Sequence, residues 1–97
     1  MIYRNAKLLR LAQDSPYCFG CGRHNDSTVV AAHSNQLRDG KGRGLKAHDY
    51  RIAYLCYACH QFCDSGKESR AARLELWEEA HRKTIGWLFD NEHLKVV

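Results

Sequence analysis

Cys18-Phe19-Gly20-Cys21-Gly22 and Leu55-Cys56-Tyr57-Ala58-Cys59-His60-Gln61-Phe62-Cys63-Asp64 are the two stretches that decide how this chain folds. Each carries a C-x-x-C pair, and 34 residues separate the pairs. Four thiolates in this arrangement are the ligand set of a structural zinc, which joins two distant segments and keeps no coordination position open. The glycines of the first pair let backbone N–H groups turn toward sulfur. The second pair runs into a helix pattern in which positions 56, 59, 60, 63 and 64 share one side. His60 and Asp64, four apart, can therefore grip a second ion with one nitrogen and one oxygen donor. Cys63 has two readings, a substitute thiolate ligand or a buried cysteine acting as a small apolar residue.

Two rival readings of the cysteines lack their context. Cys56-Tyr57-Ala58-Cys59-His60 matches a c-type haem attachment sequence, but that chemistry needs an oxidising compartment and leaves Cys18 and Cys21 without a role. A thioredoxin-like redox pair needs a βαβ setting, and neither knuckle has one. The odd count of five cysteines also argues for metal ligation over disulfides.

At 97 residues the chain is expected to form one domain over residues 1–97, of a size at which a structural metal adds substantially to a small core. Its 44% hydrophobic and 27% charged residues, with one proline, are those of a globular protein. No apolar run is long enough to span a bilayer, and Met1-Ile2-Tyr3-Arg4-Asn5 lacks the apolar core of a signal peptide. A cytoplasmic location with no membrane partner is the expectation. The net charge of +4 tilts the partner class toward a polyanion.

Along the chain, Arg4 to Gln13 reads as a short helix ended by Asp14-Ser15-Pro16. Thr28 to His33 is rich in β-formers and reads as a strand ending at His33. Ser34 to Ala47 reads as a loop, and Asp49 as a cap on a short turn or brief helix leading into Ile52–Leu55. Cys56 to Asp64 is a helix stopped by Ser65-Gly66. From Lys67 onward Ala71, Leu74, Trp77, His81, Ile85 and Leu88 recur at threes and fours, the signature of a longer helix in which Trp77 and Trp87 pack in the core. Leu94 to Val97 reads as a closing strand.

The loop holds Arg38, Lys41, Arg43 and Lys46 within nine residues, interleaved with Gly40, Gly42 and Gly44. Such a segment suits a phosphate backbone, and a solvated connector is its other reading. His33 is either a strand-end histidine bonded to backbone or a reactive group; its place between the knuckles and before the basic loop favours the second. His48 is a candidate extra ligand or phosphate contact. No chemistry is assigned to His24, His81 or His93.

Cys18 and Cys21, the strand end Ala31-Ala32-His33, the stretch Gly40-x-Gly42-x-Gly44-x-Lys46-x-x-Asp49 and Leu55-Cys56-x-x-Cys59-His60-x-x-x-Asp64 together resemble the HNH branch of the His-Me finger endonucleases. The whole chain is more closely similar to the small YbcO-like nucleases of phages and prophages. The resemblance implies an α+β fold with a zinc-stabilised ββα-metal, treble-clef-like HNH core, an N-terminal helix and a long C-terminal helix. It implies His33 as general base, and His60 and Asp64 as ligands of one catalytic divalent ion, magnesium or manganese. Cys18, Cys21, Cys56 and Cys59 would hold the structural zinc, and Arg38, Lys41, Arg43 and Lys46 would contact phosphates. DNA is the implied substrate, with RNA left open, and no small-molecule cofactor is implied. If phage-encoded, the protein would act in the host cytoplasm. Two positions depart from the family pattern: Ala32 stands where many members carry a metal ligand, and Arg51 stands where an asparagine orients the base, leaving Asp49 or Asn35 for that task. The alternative function is a non-catalytic zinc module that binds nucleic acid.

Overall fold

In the computed structural model, which describes residues 1–97, the order of elements is helix, strand, strand, helix, helix. Helix α1 (Ala6–Arg10) is capped by Asn5, whose side chain accepts the Leu8 N–H at 3.1 Å. It tightens into a 3-10 turn over Leu11–Asp14, and Pro16, with no N–H to give, stands just beyond it. Strands β1 (Val30–His33) and β2 (Ile52–Leu55) pair antiparallel, with His33 opposite Ile52 and Val30 opposite Leu55. Helix α2 (Tyr57–Asp64) follows β2 directly, and α3 (Arg70–Asp90) begins at Ser69, whose hydroxyl caps the Ala72 N–H at 3.1 Å. The fold class is therefore α+β, with a two-stranded sheet and helices around it.

A two-stranded sheet alone is marginal in water, because its outer edges leave backbone groups unpaired. Here the outer edge of β2 is sealed. Tyr54 N–H donates to the Thr84 hydroxyl at 3.0 Å, Tyr54 C=O accepts the Phe19 N–H at 3.1 Å, and Ile52 C=O accepts from His81 Nδ1 at 2.7 Å. All four β2 residues are fully buried. The periodic face of α3 supplies Trp77, Ala80, His81, Thr84 and Leu88 to this core. Trp77 also donates its indole N–H to Ala32 C=O at 2.9 Å and stacks on His81, with centroids 4.9 Å apart. Trp87 packs on the core rim against Phe19 and Tyr54. No buried side-chain nitrogen or oxygen lacks a partner.

The structure corrects the reading at several places. Leu94 to Val97 form no strand: the N–H groups of His93 and Leu94 bond to Leu88 C=O at the end of α3, and the last three residues are exposed. These bonds turn the segment back onto the end of α3, and it pairs with neither strand. The strand starts at Val30, not Thr28, because Thr28 folds back in a turn on Asp26. Ser34 to Ala47 is an ordered loop: a 3-10 turn covers Leu37–Asp39, and Gly42 and Leu45 exchange two backbone bonds. Asp49 caps no helix; it is a buried hub, described below. No helix is long and apolar enough to cross a membrane.

Thr84→Val would keep the shape of the side chain and orphan the buried Tyr54 N–H. The expected cost is about 1–3 kcal/mol, read as a lower urea midpoint with an unchanged m-value.

Candidate functional site

The sulfurs of Cys18, Cys21, Cys56 and Cys59 lie within 4.8 Å of one another and form the chain's one group of three or more metal-competent side chains. Cys21 Sγ and Cys56 Sγ are 3.8 Å apart, the edge of a tetrahedron with bonds of about 2.3 Å. The donor set therefore fits zinc. Cys18 Sγ accepts N–H groups from Gly20 at 3.3 Å and Cys56 at 3.2 Å, the inward-turned amides expected of a knuckle. Burial opposes ionisation of Cys18, but these donors outweigh it and bring its pKa down to about 7. Cys59 moves strongly the other way, through burial and the adjacent sulfurs of Cys18 and Cys21. Four thiolates so close need a cation to remain charged together. Gly20 makes the approach possible, since a Cβ there would stand 3.0 Å from Cys59 Sγ and from Leu55 Cδ2. Cys63 lies outside this group. It is buried between α2 and α3, its sulfur 4.0 Å from Arg73 C=O, and burial pushes its thiol up to about 11, so it acts as a small apolar residue.

The second candidate site is an open cleft of about 250 Å³ where the end of β1, the glycine-rich loop and α2 meet. His33, Asn35, Lys41, Lys46, His60 and Asp64 line it. His60 Nε2 and Asp64 Oδ2 are 3.0 Å apart, one helical turn spanning the pair. That is the distance of a direct i, i+4 ion-pair contact, and it brings one nitrogen and one oxygen donor to the same edge of the cleft. Asn35 donates to the other oxygen of Asp64 at 3.1 Å, which orients the carboxylate. Ala32 is buried in the core, facing away from the cleft, so a ligand at that position is not what this backbone would present.

His33 is fixed from behind. Its Nε2 lies 2.8 Å from Asp49 Oδ1. Asp49 is 2% exposed and also receives Asn5 N–H at 2.6 Å and Arg4 at 3.1 Å. Burial works to raise the Asp49 carboxyl, but the His33 and Asn5 hydrogen bonds and the charges of His33 and Arg4 prevail and hold it below the ordinary carboxylate value. An Asp49 carboxylate can only accept, so the hydrogen between the two groups belongs to Nε2, and in a neutral imidazole of that tautomer Nδ1 is the acceptor nitrogen. Of the two residues the sequence left for orienting His33, Asp49 does so, and Asn35 serves Asp64.

The four loop cations part company. Lys41 and Lys46 line the cleft. Arg43 is exposed at the loop tip, and Arg38 turns toward α3 to pair with Glu78 at 2.9 Å. His48 stands apart from the cysteine cluster: its Nδ1 accepts Tyr3 N–H at 3.1 Å and its ring stacks on Tyr50. The residues the sequence reading undervalued are Arg4 and Asn5, which reach Asp49 from the N-terminal segment. Nothing local marks them, because their partner is over forty positions away. No protein-family model, curated protein or solved structure matches the chain.

Structural zinc sites contribute about 10–16 kcal/mol of apparent binding energy, as much as the whole stability of an ordinary domain at about 5–15 kcal/mol. Metal analysis should therefore find one zinc per chain, and a strong chelator or Cys18→Ser should abolish the cooperative unfolding transition. Asp49 makes a separate acid prediction. Its folded pKa is depressed, so its stabilisation is complete above the unfolded value of about 3.9 and lost as pH falls through the lower folded value. The stability gap between the wild type and Asp49→Asn should be widest above about pH 5 and close progressively toward pH 2.

Proposed function

We propose that this protein is a metal-dependent endonuclease of the HNH, His-Me finger type that hydrolyses DNA phosphodiester bonds, with a zinc-pinned ββα-metal core like that of the YbcO-like proteins of phages and prophages. The observation that carries the reading is the convergence of His33, backed by buried Asp49, with the His60–Asp64 pair and two lysines on one cleft. A non-catalytic zinc module has no use for that convergence.

The order β1, β2, α2, with His33 at the strand end and His60 on the helix, supports this assignment of the core. In the proposed reaction Lys41 and Lys46 hold the phosphate, contacts that position a strand without reading its sequence. His33 Nδ1 takes a proton from water, and the hydroxide attacks phosphorus in line with the departing oxygen. Asp49 gives the resulting imidazolium a fixed negative partner and keeps the ring from turning. His60 and Asp64 would hold magnesium or manganese, which when bound supplies positive charge against the phosphorane and the leaving oxygen. Asn35 keeps the Asp64 carboxylate aimed.

Plasmid nicking by zinc-loaded protein is the test. Cleavage should depend on added magnesium or manganese and fall at least about 100-fold in His33→Ala, the lower bound for losing a general base, with a comparable loss in His60→Ala. DNA binding should survive in His33→Ala. No cleavage of supercoiled, linear, single-stranded or branched DNA, with salt-sensitive binding retained, would overturn the nuclease in favour of the binding module.

A further inference from the structure

A second concavity lies between residues 50–51 and the C-terminal half of α3, an open groove of about 610 Å³. Tyr50 forms one wall, and Ile85, Phe89 and Leu94 form the apolar remainder. Two of these rings stay in water although they are large and apolar: Tyr50 is 41% and Phe89 48% exposed. Arg51 and Arg82 also line the groove. Their contacts with Asp39 and Glu79, at 3.6 and 3.9 Å, are too long for good hydrogen bonds, and the Arg82–Glu79 pair is also exposed, so both guanidinium groups retain donors for another anion. The groove's own carboxylate, Glu78, is already engaged by Gln36 at 2.6 Å and Arg38 at 2.9 Å. The remaining polar lining is His81, whose Nδ1 is committed to Ile52 C=O.

The Tyr50 ring is held in place before any ligand arrives. His48 stacks against it with centroids 4.8 Å apart and planes 5° from parallel, and Tyr3 lies tilted beside it at 5.5 Å. His48 is itself fixed by the Tyr3 N–H and by Gly40, where a Cβ would come within 2.7 Å of the imidazole. The Arg51 guanidinium lies over the Tyr50 ring, 5.3 Å from its centroid, so Tyr50 carries His48 and Arg51 and acts by holding that guanidinium in place. A positioned guanidinium plane facing an exposed phenyl ring, Phe89, with Arg82 at hand, is an arrangement that takes an unstacked base by its face and the adjoining phosphates by charge.

We infer that this groove is a subsite for unpaired nucleotides, which makes the preferred substrate of the proposed nuclease a single-stranded or frayed strand. The inference rests on the nucleic-acid reading given above and adds the strand type. Residues 46–51 join the two places: Lys46 lines the cleft, Asp49 holds His33, and Tyr50 and Arg51 line the groove. Four residues of extended chain reach at most about 14 Å, so Lys46 and Tyr50 stand within a few nucleotides' length of each other. A base inside a duplex hides the face that Phe89 and the Tyr50-held Arg51 guanidinium would contact, whereas an unpaired base offers it. A second copy of this chain is a poorer occupant, because a two-fold contact through the groove would bring Arg51 and Arg82 against their own copies.

The test is fluorescence anisotropy on full-length zinc-loaded protein without added magnesium or manganese, using labelled oligothymidylate and oligouridylate of about 12 nucleotides and a blunt duplex of equal length. Single strands should bind at least about fivefold more tightly than the duplex. Tyr50→Ala, which releases the Arg51 guanidinium, and Phe89→Ala should each weaken single-strand binding at least about fivefold, the low end of one lost base stack. Duplex affinity should be unchanged and Phe89→Trp should retain binding. Zinc content and melting temperature confirm that the variants fold, and both rings are exposed enough to replace. Equal affinity for the two forms, insensitivity to both alanine variants, or a dimer lost in Phe89→Ala would overturn the inference. Because binding is read without the catalytic ion, single-strand preference in a protein that never cuts would support the subsite while defeating the nuclease, and cleavage without that preference would do the reverse.

Discussion

Four cysteine sulfurs within 4.8 Å of one another tie the turn at residues 18–21 to the first turn of α2, and the geometry of the cleft is built outward from that tie. The constraint is electrostatic as well as geometric. Four sulfurs packed this closely, three of them buried, repel one another if ionised and hold together when a cation neutralises them. With Cys56 and Cys59 anchored, α2 has one orientation, and His60 and Asp64, one and five residues beyond the last ligand, inherit it. Phe19, from the first knuckle, meanwhile bonds to Tyr54 in β2, so the same turn also fixes the strand pair that carries His33.

A second hub opposes the first. Asp49 gathers His33, Arg4 and the Asn5 amide in a nearly dry pocket, so the N-terminal segment, the β1 end and the loop close around one carboxylate. A buried carboxylate with fewer partners would be costly, and one with several donors is stable and rigid. The sulfur cluster sets where His60 and Asp64 stand, and the carboxylate sets how His33 is turned. The side chains of the cleft are thus held from two independent directions.

The placement of exposed groups follows from the same packing. Helix α3 spends its periodic face on sealing β2, through Thr84 and His81, and Arg82 and Phe89 fall outside that face. The loop after β1 is pulled toward α3 by the Arg38–Glu78 pair and onto Ser34 by Asp39, which accepts its hydroxyl at 2.6 Å. The cations that look like one patch in sequence are thereby divided between the cleft, the loop tip and the α3 side.

The spacing of the cysteines, the i, i+4 relation of His60 and Asp64 and the 3.6-residue rhythm of α3 are local patterns, and local patterns are legible without a structure. The sequence by itself determined the four-cysteine cluster, the helix carrying His60 and Asp64, and a strand ending at His33. It suggested a strand at Leu94–Val97 because composition reports preference and not whether the segment meets a strand to pair with. Only the tertiary structure decided that Asp49 orients His33, that Asn35 orients Asp64, and that Arg38 leaves the other loop cations. Each of these depends on groups sixteen to forty residues apart meeting in space, and such meetings are set by burial and by the competition for hydrogen-bond partners, neither of which has a period that a sequence can display.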